Sequence, residues 1–114
     1  MKPTLKVNFF QTESGTEPVR DWLRDLPGPD RKVIGEDIKT VQYGWPLGMP
    51  LVRHLRGDVW EVRVQLQRRI ARVLFATEKE AMILLHGFIK KSRETPKTDL
   101  DLAIERLKQL RRRV

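Results

Sequence analysis

Residues 59–91 read VWEVRVQLQRRIARVLFATEKEAMILLHGFIKK, and the period of this stretch decides the fold. From Val59 to Leu66 apolar and polar residues alternate. Val62, Val64 and Leu66 fall on one side and Glu61, Arg63 and Gln65 on the other, which predicts a strand with one buried face. Gln67-Arg68-Arg69 marks a turn, Ile70–Thr77 a second strand, and Glu78-Lys79-Glu80 another turn. Ala81–Ile89 is the most apolar stretch of the chain and predicts a third strand, central in the sheet and buried on both faces. Three consecutive strands with short turns make an antiparallel meander.

Upstream, Leu51–Leu55 reads as a short strand ended by Gly57-Asp58, and Trp45–Pro50, with two prolines and a glycine, as a loop. Ile34, Ile38 and Val41, spaced by four and three, predict a helix with Gly44 as its C-terminal cap. Val19, Trp22, Leu23 and Leu26 predict an earlier helix, capped by Thr16 and carrying Pro18 in its first turn. Pro27-Gly28-Pro29 separates the two helices abruptly, so they form an αα-hairpin. Leu5, Val7 and Phe9 alternate with Lys6 and Asn8 as a first strand. Downstream, Thr95-Pro96 and Thr98-x-x-Asp101 are alternative starts for a helix with the stripe Leu100, Ala103, Ile104, Leu107 and Leu110. The order is β-α-α-β-β-β-α with one extra short strand. This is an α+β chain, one domain over residues 1–114, whose helices are expected on one face of a twisted, mostly antiparallel sheet.

A chain of 114 residues suits one core without staples. With no cysteine, disulfides, thiolate zinc sites and cysteine nucleophiles are excluded, and a reducing compartment fits. No apolar run approaches the ~20 residues that span a bilayer, and Met1-Lys2-Pro3-Thr4 leads into no signal-peptide core, so a soluble cytoplasmic protein is expected. Lys and Arg number 23 against 15 Asp and Glu, a formal charge of +8. Residues 1–52 hold seven charges of each sign, so the whole excess lies in residues 53–114. Without Arg111, Arg112 and Arg113 that half still carries +5. Such polarity points to a polyanionic partner.

Lys90, Lys91 and Arg93 follow the last strand directly. They are either a solvated strand end or one wall of an anion site. Arg72 interrupts the apolar run Ile70-Ala71-Arg72-Val73-Leu74-Phe75, and an unpaired arginine buried there would cost several kcal/mol, of order 2–7 for a polar group. It must reach an edge, pair with a carboxylate such as Glu61, or point into a groove. Neighbouring antiparallel strands can bring Arg63, Arg72 and Lys90 or Lys91 into one phosphate-binding patch.

Other chemistries find little support. His54 and His86 lack metal-ligand spacing, Ser14 and Ser92 lack a nucleophile elbow, and no glycine-rich phosphate loop is present. No metal and no cofactor is expected. His86, inside an apolar strand, is either a satisfied core histidine or a proton-transfer group. Trp45 and Trp60 either stack on bases or pack internally. The remaining tools are arginines, lysines and a histidine acting on a substrate with its own nucleophile. RNA meets that description, because its 2′-hydroxyl can attack the adjacent phosphodiester while cations stabilise the charge on phosphorus.

The runs Val59-Trp60-Glu61-Val62-Arg63, Arg72-Val73-Leu74-Phe75 and Leu84-Leu85-His86-Gly87-Phe88-Ile89-Lys90-Lys91, followed by Thr95-Pro96, resemble those of RelE/HigB-type toxins, in particular the phage-derived HigB-like branch. The resemblance extends over nearly the whole chain. It implies the toxin of a bacterial type II toxin–antitoxin system, an mRNA interferase that works without a metal in the ribosomal A site. It further implies a cognate helix-turn-helix antitoxin, with operator DNA bound only through the toxin–antitoxin complex, and no membrane. Position by position it makes Arg72 the strand arginine at the scissile phosphate, Arg63 a basic partner on the preceding strand, and Lys90 and Lys91 the cations after the last strand. Unlike RelE, this chain has Glu61 where that protein has a lysine, and its only tyrosine is Tyr43. Glu61 and His86 therefore stand in as acid and base candidates. Arg53, Arg56, Arg68, Arg69 and Arg93 complete the expected RNA-binding set. Replacing Arg72 by Ala is expected to abolish cleavage with little change in fold. Two other functions fit the same architecture: a ParE-like inhibitor of DNA gyrase, and a non-catalytic nucleic-acid-binding module.

Overall fold

The computed structural model describes residues 2–90 and 95–113. In chain order the elements are β1 (Lys6–Phe9), α1 (Pro18–Asp25), α2 (Gly28–Gly44), β2 (Val52–Arg56), β3 (Val59–Leu66), β4 (Arg69–Glu78), β5 (Ala81–Lys90) and α3 (Lys97–Arg112). The strands form one sheet in the order β1-β5-β4-β3-β2. β2 through β5 are an antiparallel meander, and β1 pairs in parallel with the far side of β5. This is the expected α+β class, consistent with a RelE-like fold. No described helix is long and apolar enough to cross a membrane.

The period-two pattern fixes which face each strand residue takes. Val62, Val64, Leu66, Ala71, Val73, Phe75 and Leu84 form one apolar cluster with Val19 of α1 and Ile34, Ile38 and Val41 of α2. Leu74, Ala76, Ile83 and Leu85 form a second cluster with Ala103 and Leu107 of α3. The helices therefore cover both faces, not one. The apolar stripe of α3 needs its own layer, because the hairpin of α1 and α2 already fills the first. The central strand is β4, whose residues 71–76 are buried without interruption; β5 is interior but one place off centre.

The helix ends differ in detail from the sequence expectation. Glu17, not Thr16, is the N-cap of α1, while Thr16 donates its backbone N–H to Thr12 Oγ1. Gly44 is the last residue of α2 and Trp45 the cap. α3 starts after Pro96, so Thr95-Pro96 is the start that operates.

Two features of β5 position the site. Gly87 faces α1, and a Cβ there would come within 2.4 Å of the Trp22 ring, so only glycine lets the indole lie on the strand. In addition, Leu74 pairs with His86 but Phe75 pairs with Leu84, leaving Leu85 as a bulge. The bulge turns two successive side chains to the α3 face: Leu85 joins its apolar cluster, and His86 reaches Asp99 on α3.

Candidate functional site

The α3 face of β2, β3 and β4 carries a charged group inside the sheet. Arg63 and Arg72 are direct cross-strand partners, and Arg53 stands opposite Glu61. Glu61 and Arg72 are fully buried. Glu61 Oε2 lies 3.6 Å from Arg72 Nη1, and Glu61 Oε1 lies 3.8 Å from Arg63 Nε. The Thr95 hydroxyl closes the group: it donates to Glu61 and accepts from Arg72 Nη1 at 3.1 Å. Burial holds the Arg72 guanidinium below its ordinary range. Glu61 pushes it back up, and the neighbouring Arg63 and Arg53 lower it further. Among the described residues the Glu61 carboxylate thus stands beside Arg63 and Arg72, with Arg53 opposite it on β2.

Arg63 is the member that reaches the surface from inside, with a side chain 21% exposed. It lines a cleft of about 300 Å3 together with Pro50, Leu51, Gln65 and Ile70. Arg53 is exposed beside it. Lys90, also exposed, is opposite Ile70, which makes it a diagonal cross-strand neighbour of Arg72. A larger cleft of about 680 Å3 at the β1 edge, beside Lys6, Glu78 and Arg111, is lined by charges of both signs. Arg111 there is bonded to Asp58 and Glu78, whose carboxylates raise it above its ordinary range, so that cleft offers no surplus of charge.

His86 lies on the other diagonal of Arg72. Its Nε2 is 2.6 Å from Asp99 Oδ1, in the first turn of α3, and its ring stacks on Phe88 with centroids 5.4 Å apart. The bulge beneath it is braced by Arg106, which donates to the Leu85 carbonyl at 2.8 Å. His86 is therefore a half-buried histidine whose Nε2 is satisfied by a carboxylate. Among the described residues no group of three or more His, Cys, Asp or Glu side chains is arranged to hold a metal ion.

The other expected site residues are dispersed. Arg56 sits at the end of β2, 3.7 Å from Asp101, and Arg68 in the β3–β4 turn. Arg69 projects to the opposite face of the sheet, where it binds Asp30 of α2 at 2.6 Å. Lys91 and Arg93 lie outside the described residues. Glu61, expected as an acid or base, is buried and committed to two arginines and a threonine. Arg72, expected to touch the scissile phosphate, lies below the surface, and its predicted dispensability for the fold gives way to a buried ion pair. Trp45 and Trp60 pack edge to face with centroids 5.1 Å apart, against the α1/α2 core.

Thr95 and Asp99 belong to the site although nothing in the sequence assigned either of them a role in it. Both fall in a helix-start signal, where a threonine and an acidic residue are already explained by capping and by the helix dipole. Only the packing of α3 on the sheet shows that Thr95 meets Arg72 and Glu61 and that Asp99 meets His86.

No curated protein matches the chain. A family model described as phage-derived protein Gp49-like (DUF891) matches residues 21–108, which contain the meander, the buried Glu61–Arg72 pair and the His86–Asp99 contact. That family is associated in general with the toxins of toxin–antitoxin systems. Over more than three quarters of its length, then, the chain is matched as one of these phage-derived proteins, and it belongs to the Gp49-like family.

Proposed function

We propose that the chain is the toxin of a type II toxin–antitoxin system and acts as a ribosome-dependent mRNA endoribonuclease of the RelE/HigB kind. The observation that carries this reading is the clustering of Arg63, Arg72 and Arg53 about the buried Glu61, with the His86–Asp99 pair on the adjoining strand. An RNA backbone laid over this face meets Arg63 and Arg53 on one side and Lys90 on the other. The 2′-oxygen bonds to phosphorus and the bond to the 5′-oxygen breaks, leaving a 2′,3′-cyclic phosphate and a 5′-hydroxyl. One proton leaves the 2′-hydroxyl and one arrives at the departing oxygen; His86 serves this proton traffic. Arg63 balances the charge that grows on the phosphoryl oxygens. Arg72 and Glu61, too buried to touch RNA, hold Arg63 in place.

In this reading the ribosomal A site presents mRNA in an extended form, a cognate helix-turn-helix antitoxin neutralises the toxin, and operator DNA is bound only through their complex. The test is to induce the protein in cells and map mRNA ends. Cuts inside translated codons, ending in a 5′-hydroxyl and absent with Arg63→Ala, are the expected result. Intact messages alongside folded protein overturn it. Inhibition of gyrase supercoiling then favours the ParE-like reading, and RNA binding without cleavage favours the binding module.

A further inference from the structure

We infer that Asp99 is a positioning residue for His86: it fixes the imidazole as the Nε2–H tautomer and so leaves Nδ1 as the ring's proton acceptor. The inference deepens the endoribonuclease reading and rests on it. A carboxylate can only accept, so the 2.6 Å contact between Asp99 Oδ1 and His86 Nε2 requires the proton on Nε2. Three further contacts leave the ring little choice of orientation. The bulge at Leu85 aims the side chain at α3, Arg106 ties down the bulged carbonyl, and the Phe88 ring stacks on the imidazole at an interplanar angle of 24°. The pair is largely out of water, with His86 16% and Asp99 25% exposed, so solvent screening is reduced.

The location of the pair gives it a use. His86 and Arg72 are diagonal neighbours across β4 and β5, roughly 7–8 Å apart. The imidazole therefore stands beside the Arg63–Arg72 cross-strand pair, where this reading holds a phosphodiester. A purely structural Asp99 would need no such neighbour: an acidic residue in a first helical turn is explained by the helix dipole alone. That simpler role makes a different prediction. It leaves the tautomer of His86 and the rate of proton transfer unaffected by the residue at position 99.

The experiment combines nitrogen-15 NMR of the imidazole in the whole protein with single-turnover cleavage of ribosome-bound mRNA. In the wild-type protein the neutral ring carries its proton on Nε2. Asp99→Ala and Asp99→Asn release the other tautomer and lower the cleavage rate about 100-fold, the lower end of general acid–base contributions, with unchanged mRNA affinity. Asp99→Glu restores the Nε2–H signal and part of the rate. An unchanged tautomer in Asp99→Ala, or an unchanged rate in both variants, overturns the inference. A wild-type protein that cleaves no RNA overturns the endoribonuclease reading, and the proton-transfer role with it, while the nitrogen signals still decide whether Asp99 sets the tautomer.

Discussion

Arg63 and Arg72 stand directly opposite one another on β3 and β4, both on the α3 face. Like charges in that relation destabilise a sheet. Here Glu61 sits beside them, within 3.6 Å of one and 3.8 Å of the other, and Thr95 bridges it to Arg72. The Glu61 carboxylate offsets the repulsion between the two arginines.

Glu61→Gln should therefore be among the most damaging single changes in the chain. It removes the carboxylate charge 3.6 Å from the buried Arg72 guanidinium, a loss of about 3–5 kcal/mol. Urea unfolding measures it. Replacing both members, Glu61→Leu with Arg72→Met, should recover much of that loss, because the buried guanidinium goes together with the carboxylate beside it. A double variant as unstable as Glu61→Gln would show that the pair is not what holds this part of the sheet.

Arg63 and Arg72 should separate function from stability. Arg63→Ala removes a partly exposed cation from the cleft and should cost about 1 kcal/mol or less, with loss of mRNA cleavage. Arg72→Ala should cost several times more, about 3–5 kcal/mol, because it takes from the buried Glu61 its fully buried guanidinium partner. Circular dichroism in urea, run beside the cleavage assay, checks both. Equal stability losses would contradict the burial difference between the two guanidinium groups.

The contrast marks where sequence reading stops. The meander was legible in the alternation from Val59 to Leu66 and in the apolar density of Ala81–Ile89, since a strand's period places its side chains. The same alternation put Glu61 and Arg63 on one side, and an arginine within an aliphatic run had to reach an edge, pair with a carboxylate such as Glu61 or point into a groove. The sequence does not say how deep a residue lies, because depth depends on what covers the sheet. α3 covers this face, and its register over β5 is set by Leu107 and Ala103 packing on Leu74 and Leu85. From that packing come the burial of Arg72, the exclusion of Glu61 from contact with RNA, and the reach of Asp99 to His86. The bulge at Leu85 is only faintly marked in sequence, by the isolated Gly87 two residues on, which does not say where the extra residue falls. Arg69 is a third case: one residue beyond the turn it changes face, which only the pairing Leu66–Arg69 reveals.

Gly87→Ala tests the contact between α1 and the sheet. The added methyl would fall 2.4 Å from the Trp22 ring, so the indole or the strand must move. Overpacking of this kind costs about 1–3 kcal/mol. Trp22→Leu in the same background should return part of it, which a comparison of thermal midpoints for the two single variants and the double variant will show. Additive losses would mean that the ring and the methyl do not compete for the same space.

Asp37 on α2 predicts a pH dependence. Burial, and then the charge of Glu36, raise its carboxyl above the ordinary range of about 3.9. A carboxyl raised on folding binds its proton more tightly in the native state, so ionising it opposes folding. The penalty is absent below the unfolded value and complete once the pH exceeds the folded one. Asp37→Asn should accordingly leave stability unchanged near pH 3 and increase it at pH 7, as read from urea midpoints. A gain of the same size at both pH values would rule out titration of Asp37 as the cause.

The two faces of the sheet should differ in their response to salt. Single-stranded RNA binding weakens with ionic strength by about 0.7 logarithmic units per unit of log[salt] for each phosphate neutralised. Arg53→Ala and Lys90→Ala, on the α3 side, should each lower that slope by about this amount if each meets one phosphate. Arg69→Ala should not alter it, because its guanidinium lies on the α2 side and is held by Asp30 at 2.6 Å. Fluorescence anisotropy with a short labelled RNA between 50 and 200 mM salt, roughly the range over which phosphate contacts are lost, gives the three slopes. A reduced slope for Arg69→Ala, with no reduction for Arg53→Ala, would move the RNA to the opposite face and separate it from both His86 and Arg63.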